Sequence, residues 1–306
     1  MPSPPSHSGM GKVEKAIILL LALRHVADAI SFPVAHIDVT GLPGGPPFGD
    51  FRPNFGYNNG PLIKSPVVTT LAWGTGVRNF PAVNSLLADL PKTKYIAWIN
   101  KEYSVPKYAL KGGHFRRELV INPAFKTTLK DKEIQKTIAQ LVKQKALPEN
   151  TFGNSLTMVF LPPGVSVLSS VERGERRSCI DLCAYHGAFK HNGKNQFYAV
   201  VPDQECAGIK NALDCKKDLP LVDATTVAVS YAYVAAMTNP ADVFFQGRAP
   251  AEGWADRYGT DIGMPCTGSS DRITGPTGVT WTVQQIFSEK HRTCFTEPGR
   301  PYLIGK

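Results

Sequence analysis

The sequence predicts a mixed α/β fold: a single domain in which helices pack on a sheet and a loop-rich C-terminal part is held by disulfides. Apolar runs rich in β-branched residues alternate with helical patterns along the middle of the chain. No linker-like gap divides that part. All six cysteines lie in the C-terminal half, where Gly, Pro and Cys dominate from Pro240 onward and indicate loops.

The first residues, 1–29, have the layout of a secretory signal peptide. Two lysines precede the apolar run 16–23, and the small-residue pattern Ala-Asp-Ala follows at 27–29. A short N-terminal helix is the alternative, favoured by Arg24 and His25 between the run and the cleavage position. The run is too short for a mature membrane anchor. We therefore expect cleavage after Ala29, a secreted, extracellular protein and no membrane span.

Residues 30–55 are rich in Pro and Gly without a helical period, and they predict a linker or an extended N-terminal arm. The domain is expected over 56–297, followed by a tail at 298–306.

Helices are predicted where apolar residues recur at helical spacing. These are 80–91, 94–104, 130–148 and 223–238, the last capped by Asp223 or a neighbouring Thr. Strands are predicted at short apolar or β-branched runs. These are 65–74, 155–164, 196–203 and 278–288.

An even number of cysteines behind an export signal predicts a disulfide framework, although six cysteines allow fifteen pairings. The simplest connectivity joins neighbours along the chain. It pairs Cys179 with Cys183, Cys206 with Cys215, and Cys266 with Cys294. The alternative is a metal site built from Cys179, Cys183 and His186, but structural zinc sites usually contain tighter Cys-x-x-Cys pairs with a second matching half.

The charge of the chain predicts its partners only by class. The full sequence carries a formal charge of +9. Removal of 1–29 leaves 31 basic and 23 acidic residues, a formal charge of +8. A basic secreted protein is attracted to acidic polysaccharide or to an anionic cell-surface protein. The stretch KGGHFRRE at 111–118 is too short for a nucleic-acid module, and we interpret it as a solvated face.

Four blocks resemble, in order, the phosphate-induced protein family, which includes the EXORDIUM and EXORDIUM-like proteins of plant cell walls. They are YNNGPLIKSPVVTTLAWG at 57–74, KYIAWINKEYS at 94–104, CIDLCAYHG at 179–187 and IFSEKHRTC at 286–294. The similarity covers about residues 56–296. It implies an extracellular protein of the cell wall or apoplast, connected with growth or cell expansion, and a metalloprotease-like arrangement.

The helix at 223–238 departs from the family pattern. Relatives carry His-Glu-x-x-Glu on this helix, a variant of the zinc-binding logic in which ligands one turn apart share a face. Alignment on Asn239-Pro240 places Tyr231 at the His position, with Ala232 and Ala235 at the two Glu positions. Tyr is a poor zinc ligand near neutral pH, since its phenol pKa is about 10. Ala cannot bind a metal or move a proton.

Asp261 keeps a carboxylate near this helix, because the family's Glu-Ile-Gly/Ala-Asp-Leu-Cys corresponds to DIGMPC here. One carboxylate holds a divalent cation weakly. The sequence therefore predicts no catalytic activity, no metal and no other cofactor. Because Ala232 and Ala235 leave a groove along the helix, we expect the Tyr231 ring to pack toward the sheet and its hydroxyl to meet Asp261.

Two other functions are consistent with the residues. The first is a metal-dependent hydrolase whose site is rebuilt from His186, His191, Asp261 and Asp256, of which no two have the helical spacing of metal ligands. A buried His186 hydrogen-bonded to the backbone is the plainer interpretation. The second is a carbohydrate-binding wall module that uses exposed aromatic rings. Its candidate residues are Trp254, Tyr258 and Trp281.

Overall fold

A computed structural model describes residues 31–36, 53–171, 174–241 and 252–297, with the backbone only at 31–36, 169–171, 174 and 175. The predicted signal peptide and the tail 298–306 lie outside the described residues, as does most of the predicted arm. The elements follow in chain order. They are β1 (Ser31–His36), β2 (Gly56–Tyr57), β3 (Val67–Trp73), α1 (Phe80–Asp89), a 3₁₀ turn (Leu90–Lys92), α2 (Lys94–Tyr103), β4 (His114–Ile121), β5 (Thr128–Lys130), α3 (Asp131–Lys143), β6 (Ser155–Phe160), β7 (Ser166–Val171), β8 (Gly174–Arg177), β9 (Tyr185–His191), β10 (Lys194–Val201), α4 (Leu221–Thr238), β11 (Trp254–Ala255), a second 3₁₀ turn (Met264–Cys266), β12 (Ser270–Thr274), β13 (Thr280–Gln284), β14 (Ile286–Ser288) and β15 (Thr293–Phe295).

A six-stranded sheet forms the centre of the fold, with the strand order β1-β9-β10-β6-β3-β4. Strands β10, β6, β3 and β4 are mutually parallel, β9 is antiparallel to β10, and β1 is antiparallel to β9. The mixed α/β class is therefore confirmed. The first residues of the predicted arm form β1, an edge strand of this sheet, so this part of the arm belongs to the fold and is not a linker.

Both faces of the sheet are covered, and this explains the continuous apolar runs of β3, β6 and β10. Successive side chains alternate between two cores, as the strand period of two requires. On one face, residues such as Val68, Met158 and Ala199 pack with α1, α2 and α4. On the other, Val159 and Val200 pack with α3. The helix α4 thus lies in the larger of these two cores.

Four helices and three of the predicted strands are found close to their predicted positions, and several boundaries are corrected. Helix α3 ends at Lys143, before the predicted 148, and the predicted strand 278–288 is divided into β13 and β14. The predicted cap of α4 is wrong: Pro220 occupies the N-cap position without a side-chain hydrogen bond, and Asp223 lies in the first turn. The stretch predicted as a solvated face contributes the edge strand β4, whose side chains are alternately exposed and half-buried.

Three disulfides are present, as predicted, but two of the three predicted pairs are wrong. Cys266 pairs with Cys294 as expected, whereas the other bonds join Cys179 to Cys206 and Cys183 to Cys215. The reason is the β9–β10 hairpin. Because its strands are antiparallel, the chain entering β9 lies beside the chain leaving β10. Both disulfides connect these two segments, so none of the four cysteines is a free thiolate for the alternative metal site.

Candidate functional site

Helix α4 is apolar on nearly all sides, which is typical of a helix buried within a core. From Ala228 to Thr238 every side chain is buried. Strand β13 covers α4 on the side away from the sheet: the Thr226 hydroxyl donates to the Thr282 carbonyl at 2.6 Å, and the Gln284 N–H donates to Ser230 Oγ at 3.0 Å. Within the described residues α4 is long and apolar enough to span a membrane. A helix buried in a protein core has the same length and composition, and most of α4 is buried.

Tyr231 lies on α4 and is 1% exposed. Its hydroxyl donates a hydrogen bond to Oδ2 of Asp261, which confirms the predicted contact. The ring packs against the backbone of Gly263, where a Cβ atom would lie 2.6 Å from a ring carbon. Only a glycine leaves room for the ring at this position. The phenol therefore fills the space between α4 and the 261–263 loop.

Asp261 is 1% exposed, and both of its carboxylate oxygens accept hydrogen bonds, since Oδ1 accepts the Gly263 N–H at 2.8 Å. Burial raises its pKa above the ordinary value, while the nearby His186 and the hydrogen bonds from Tyr231 and the backbone lower it in part. The carboxylate is consequently held by donors of its own chain. It has the character of a structural buried carboxylate more than that of an open metal ligand.

His186, on β9, points to the same side of the sheet as α4 and is 1% exposed. Its Nε2–H donates to the Asn239 carbonyl at the end of α4, at 2.9 Å, which leaves Nδ1 without a hydrogen-bond partner among the described residues. Burial lowers the pKa of the imidazole, and the attraction of Asp261 and the backbone bond oppose this in part. This is the backbone-bonded buried histidine that the sequence allowed as the plainer interpretation.

Ala232 and Ala235, at the two Glu positions implied by the resemblance, are both fully buried. At the C-terminal end of α4, the Ile63 N–H donates to the Met237 carbonyl at 3.0 Å, so that a loop closes the helix there. Among the described residues, no group of three or more His, Cys, Asp or Glu side chains is placed to hold a metal ion. The position of the expected metal helix is thus occupied by packed side chains.

The other residues of the rebuilt-site hypothesis are not brought together. His191 lies five residues beyond His186 on β9, and an odd separation places the two side chains on opposite faces of the sheet. Asp256 organises its own loop, where its Oδ1 accepts the N–H groups of Tyr258 at 2.8 Å and Thr260 at 2.9 Å. Of the four candidates, only His186 and Asp261 interact with each other.

The three aromatic residues expected to form a stacking surface differ in their exposure to solvent, and they do not form a common surface. Trp281 is 8% exposed, and its Nε1–H donates to Oδ2 of Asp89 at 3.0 Å inside the protein. Tyr258 is at the surface, with the guanidinium of Arg257 4.6 Å from its ring centroid. Trp254 is half-buried. Trp281 therefore cannot belong to a surface platform.

A different group of rings surrounds Trp254, and sequence reasoning missed it. Tyr57 is the cross-strand partner of Trp254, because β2 pairs with β11, and the two ring centroids are 6.0 Å apart. Tyr108 lies 6.4 Å from Tyr57, and the ammonium groups of Lys64 and Lys107 lie 5.3 and 5.2 Å from the Tyr108 centroid. We call these five residues the aromatic–lysine patch. No local sequence signal connects residues so far apart in the chain.

A second missed feature is the buried carboxylate of Asp131 at the start of α3. It accepts hydrogen bonds from the Tyr185 hydroxyl at 2.8 Å, the Tyr198 hydroxyl at 2.8 Å and Nε2 of Gln135 at 2.6 Å. Burial raises the pKa of Asp131 to about 6, against the lowering effect of these three donors. The cluster ties α3 to β9 and β10, a structural role that an Asp in a helical first turn would not by itself suggest.

Comparison of the chain with protein-family models, with curated proteins and with solved structures gives no match in any of the three. The resemblance to the phosphate-induced protein family thus stays a prediction.

Proposed function

We propose that this protein is an extracellular, non-catalytic binding protein that resembles the EXORDIUM-like proteins and acts by holding acidic polysaccharide in the cell wall or matrix. One observation carries the non-catalytic part. The side chain at the expected metal position, Tyr231, is buried and hydrogen-bonded to the buried carboxylate of Asp261. A substrate has no room there, and two remaining groups, His186 and Asp261, fall short of the three ligands of a useful metal site.

The metalloprotease-like arrangement is part of the same proposal. Helix α4 follows the sheet strand β10 and packs on β9 and β10, beside the histidine of the Cys-x-x-His-Gly block. A helix in this position can present ligands toward His186 if it carries them. Here the corresponding positions hold Tyr231, Ala232 and Ala235, so we infer that the arrangement is kept for its packing and not for hydrolysis.

Two properties support an extracellular binding role. Three disulfides indicate an oxidising, extracellular environment. The formal charge, +9 for the full sequence and +8 without residues 1–29, favours anionic partners. Some of this charge is presented openly: on α3, Lys132, Lys136 and Lys143 are exposed on one face, and in the described part of the chain none of them has an ion-pair partner. A polymer with regularly spaced carboxylates is the ligand class that satisfies such a surface.

The test is a binding titration of the secreted protein against polygalacturonate, with an uncharged glucan as the control polymer. We expect saturable binding to the acidic polymer that weakens as salt rises, because screening reduces the attraction between exposed charges, and no binding to the glucan. Absence of binding to polygalacturonate at low salt would refute the polysaccharide role. Release of reducing ends from the polymer would refute the non-catalytic role.

A further inference from the structure

The aromatic–lysine patch is built from three separate parts of the chain. Tyr57 and Trp254 are neighbours on the two-stranded ladder of β2 and β11, and a loop after α2 adds Tyr108 beside them. All three rings are partly exposed, whereas most large aromatic side chains of the fold are buried. Rings left partly in water in this way offer apolar faces that a ligand can cover.

The patch also carries positive charge on exposed lysine side chains. Lys64 and Lys107 are exposed, and both ammonium groups are held close to the same ring, that of Tyr108. A third exposed lysine, Lys111, adjoins them, since its N–H donates to the Lys64 carbonyl at 2.7 Å. No carboxylate of the described residues forms an ion pair with any of these three lysines. The attraction of the ring quadrupole is modest and leaves the ammonium groups able to bind an anion.

Backbone and side-chain hydrogen bonds fix the patch before any ligand binds. The turn from Val105 to Tyr108 is closed by two backbone bonds, of 3.1 and 2.8 Å, which place Lys107 at its tip and Tyr108 at its base. The indole N–H of Trp254 donates to the Tyr103 carbonyl at 2.8 Å, and the Tyr57 hydroxyl donates to the Gly60 carbonyl at 2.7 Å. Rings already held in place lose little conformational entropy on binding.

We propose that the aromatic–lysine patch is the polysaccharide-binding site, and that it recognises one acidic sugar unit. The carboxylate of the sugar lies between the ammonium groups of Lys64 and Lys107, and the apolar face of the sugar ring packs against the rings of Tyr108 and Tyr57. We assign an acidic polysaccharide to the patch because its two kinds of group match the two parts of an acidic sugar. The lysine ammonium groups attract the carboxylate, and the aromatic rings pack against the sugar ring. This proposal rests on the proposed binding function and assigns it to a place.

The exposed lysine face of α3 provides the matched comparison. Lys132 and Lys136 lie one turn apart, are exposed and have no ion-pair partner among the described residues, as is true of Lys64 and Lys107. The contacts between rings and lysines in the described residues join Lys64 and Lys107 to Tyr108, but none involves the α3 lysines. Replacement of either pair by glutamine changes the net charge equally. Only one of the two replacements changes the proposed site.

The experiment measures the affinity for polygalacturonate of the wild-type protein, of Lys64→Gln/Lys107→Gln and of Lys132→Gln/Lys136→Gln at one salt concentration. We expect the patch pair to weaken binding about tenfold, which corresponds to about 1.4 kcal/mol, and the α3 pair about twofold. Tyr108→Ala should weaken binding by a similar factor of about ten, because the sugar ring loses the aromatic ring on which it packs. Loss of an aromatic ring under a nucleic-acid base has an effect of this size. Tyr108→Phe keeps the ring and should bind within about twofold of wild type. Thermal melting of each variant confirms that it is folded.

The outcomes separate the two proposals. Equal weakening by the patch pair and the α3 pair, with wild-type binding intact, would overturn the patch and leave general attraction of the basic surface. Wild-type protein that does not bind at all would overturn the binding function and the patch with it. Equal or tighter binding of dextran sulfate would show that the lysines select any polyanion, which contradicts recognition of a sugar carboxylate. Sedimentation that detects a dimer lost in the patch variants would assign the patch to a second copy of the chain instead.

Discussion

The surroundings of Tyr231 and the aromatic–lysine patch contain the same kinds of group, phenol rings and charged side chains, in opposite conditions. In the first region, the Tyr231 hydroxyl and the Asp261 carboxylate bind each other and are closed off from water. In the second, Lys64 and Lys107 are exposed and form no ion pair with a carboxylate of the described residues. A buried polar group whose hydrogen bonds are made within its own chain stabilises the fold, whereas an exposed charged group without such partners is available to a ligand.

Removal of the Tyr231 side chain, in the closed region, should have the largest effect on the free energy of unfolding. Tyr231→Ala leaves a cavity in the core and removes a donor from the buried Asp261, so we expect a loss of about 3–5 kcal/mol in the free energy of unfolding. Tyr231→Phe removes the hydroxyl alone and should cost about 1–3 kcal/mol. Urea titration measures both. A loss below about 1 kcal/mol for Tyr231→Ala would mean that the ring is not part of the core.

The disulfides give the next largest expected effect. Because the bonds Cys179–Cys206 and Cys183–Cys215 close loops of similar length, removal of either should cost about 3–4 kcal/mol in the unfolding free energy. The double variants Cys179→Ala/Cys206→Ala and Cys183→Ala/Cys215→Ala test this by denaturant titration, and non-reducing peptide mapping tests the connectivity. Recovery of a Cys179–Cys183 peptide would support the local pairing and contradict the structure.

The sequence predicted the helices and the central strands well because their signals are local. Apolar residues at helical spacing predict α1 to α3, the long apolar run before Asn239-Pro240 predicts α4, and shorter apolar runs predict β3, β6 and β10. Strand β4 was missed because an edge strand tolerates charged residues such as Arg116 on an exposed position. The disulfide pairs of the β9–β10 region were wrong because the pairing depends on a hairpin that sequence spacing does not reveal.

The candidate site shows the same division. The contact of Tyr231 with Asp261 was predictable because a resemblance aligned both positions. The patch was not predictable, since Tyr57 and Trp254 meet only through the short ladder of β2 and β11, whose two-residue strands carry no periodic signal. Trp281 was wrongly expected at the surface because one strand position does not reveal that a tryptophan N–H has a buried partner.

The pH dependence of stability tests a third, fully closed region, that of Asp131. Because burial raises its pKa to about 6, the folded state binds more protons than the unfolded state between the ordinary value and about 6. Stability should therefore fall as pH rises through this window, by about 2–3 kcal/mol, and be constant in this respect above it. His186, whose pKa is lowered by burial, acts in the opposite direction, so that stability falls as pH drops below its ordinary value.

The difference between wild type and Asp131→Asn separates these two effects. Asparagine does not titrate. Unfolding free energies measured from about pH 4 to pH 7 should therefore show that the stability of wild type relative to Asp131→Asn falls as pH rises to about 6 and is constant above that value. A constant difference across the whole range would contradict the raised pKa of Asp131.

The smallest expected effect concerns the open region. Lys64→Gln/Lys107→Gln should change the unfolding free energy by less than about 0.5 kcal/mol, because exposed side chains without ion pairs contribute little to stability. Thermal and urea unfolding measure the difference. A loss above about 1 kcal/mol would mean that these lysines support the fold, and the contrast between the two regions would then not hold.

The central claim, that the position of the expected metal helix is closed and filled by the chain's own groups, is tested most directly by the melting temperature of the purified wild-type protein with and without a strong chelator. The account predicts the same melting temperature in both samples, because Tyr231, Ala232 and Ala235 supply no metal ligands and Asp261 is already bonded. A protein that is isolated with one zinc ion per chain and melts at a markedly lower temperature after chelation would contradict it.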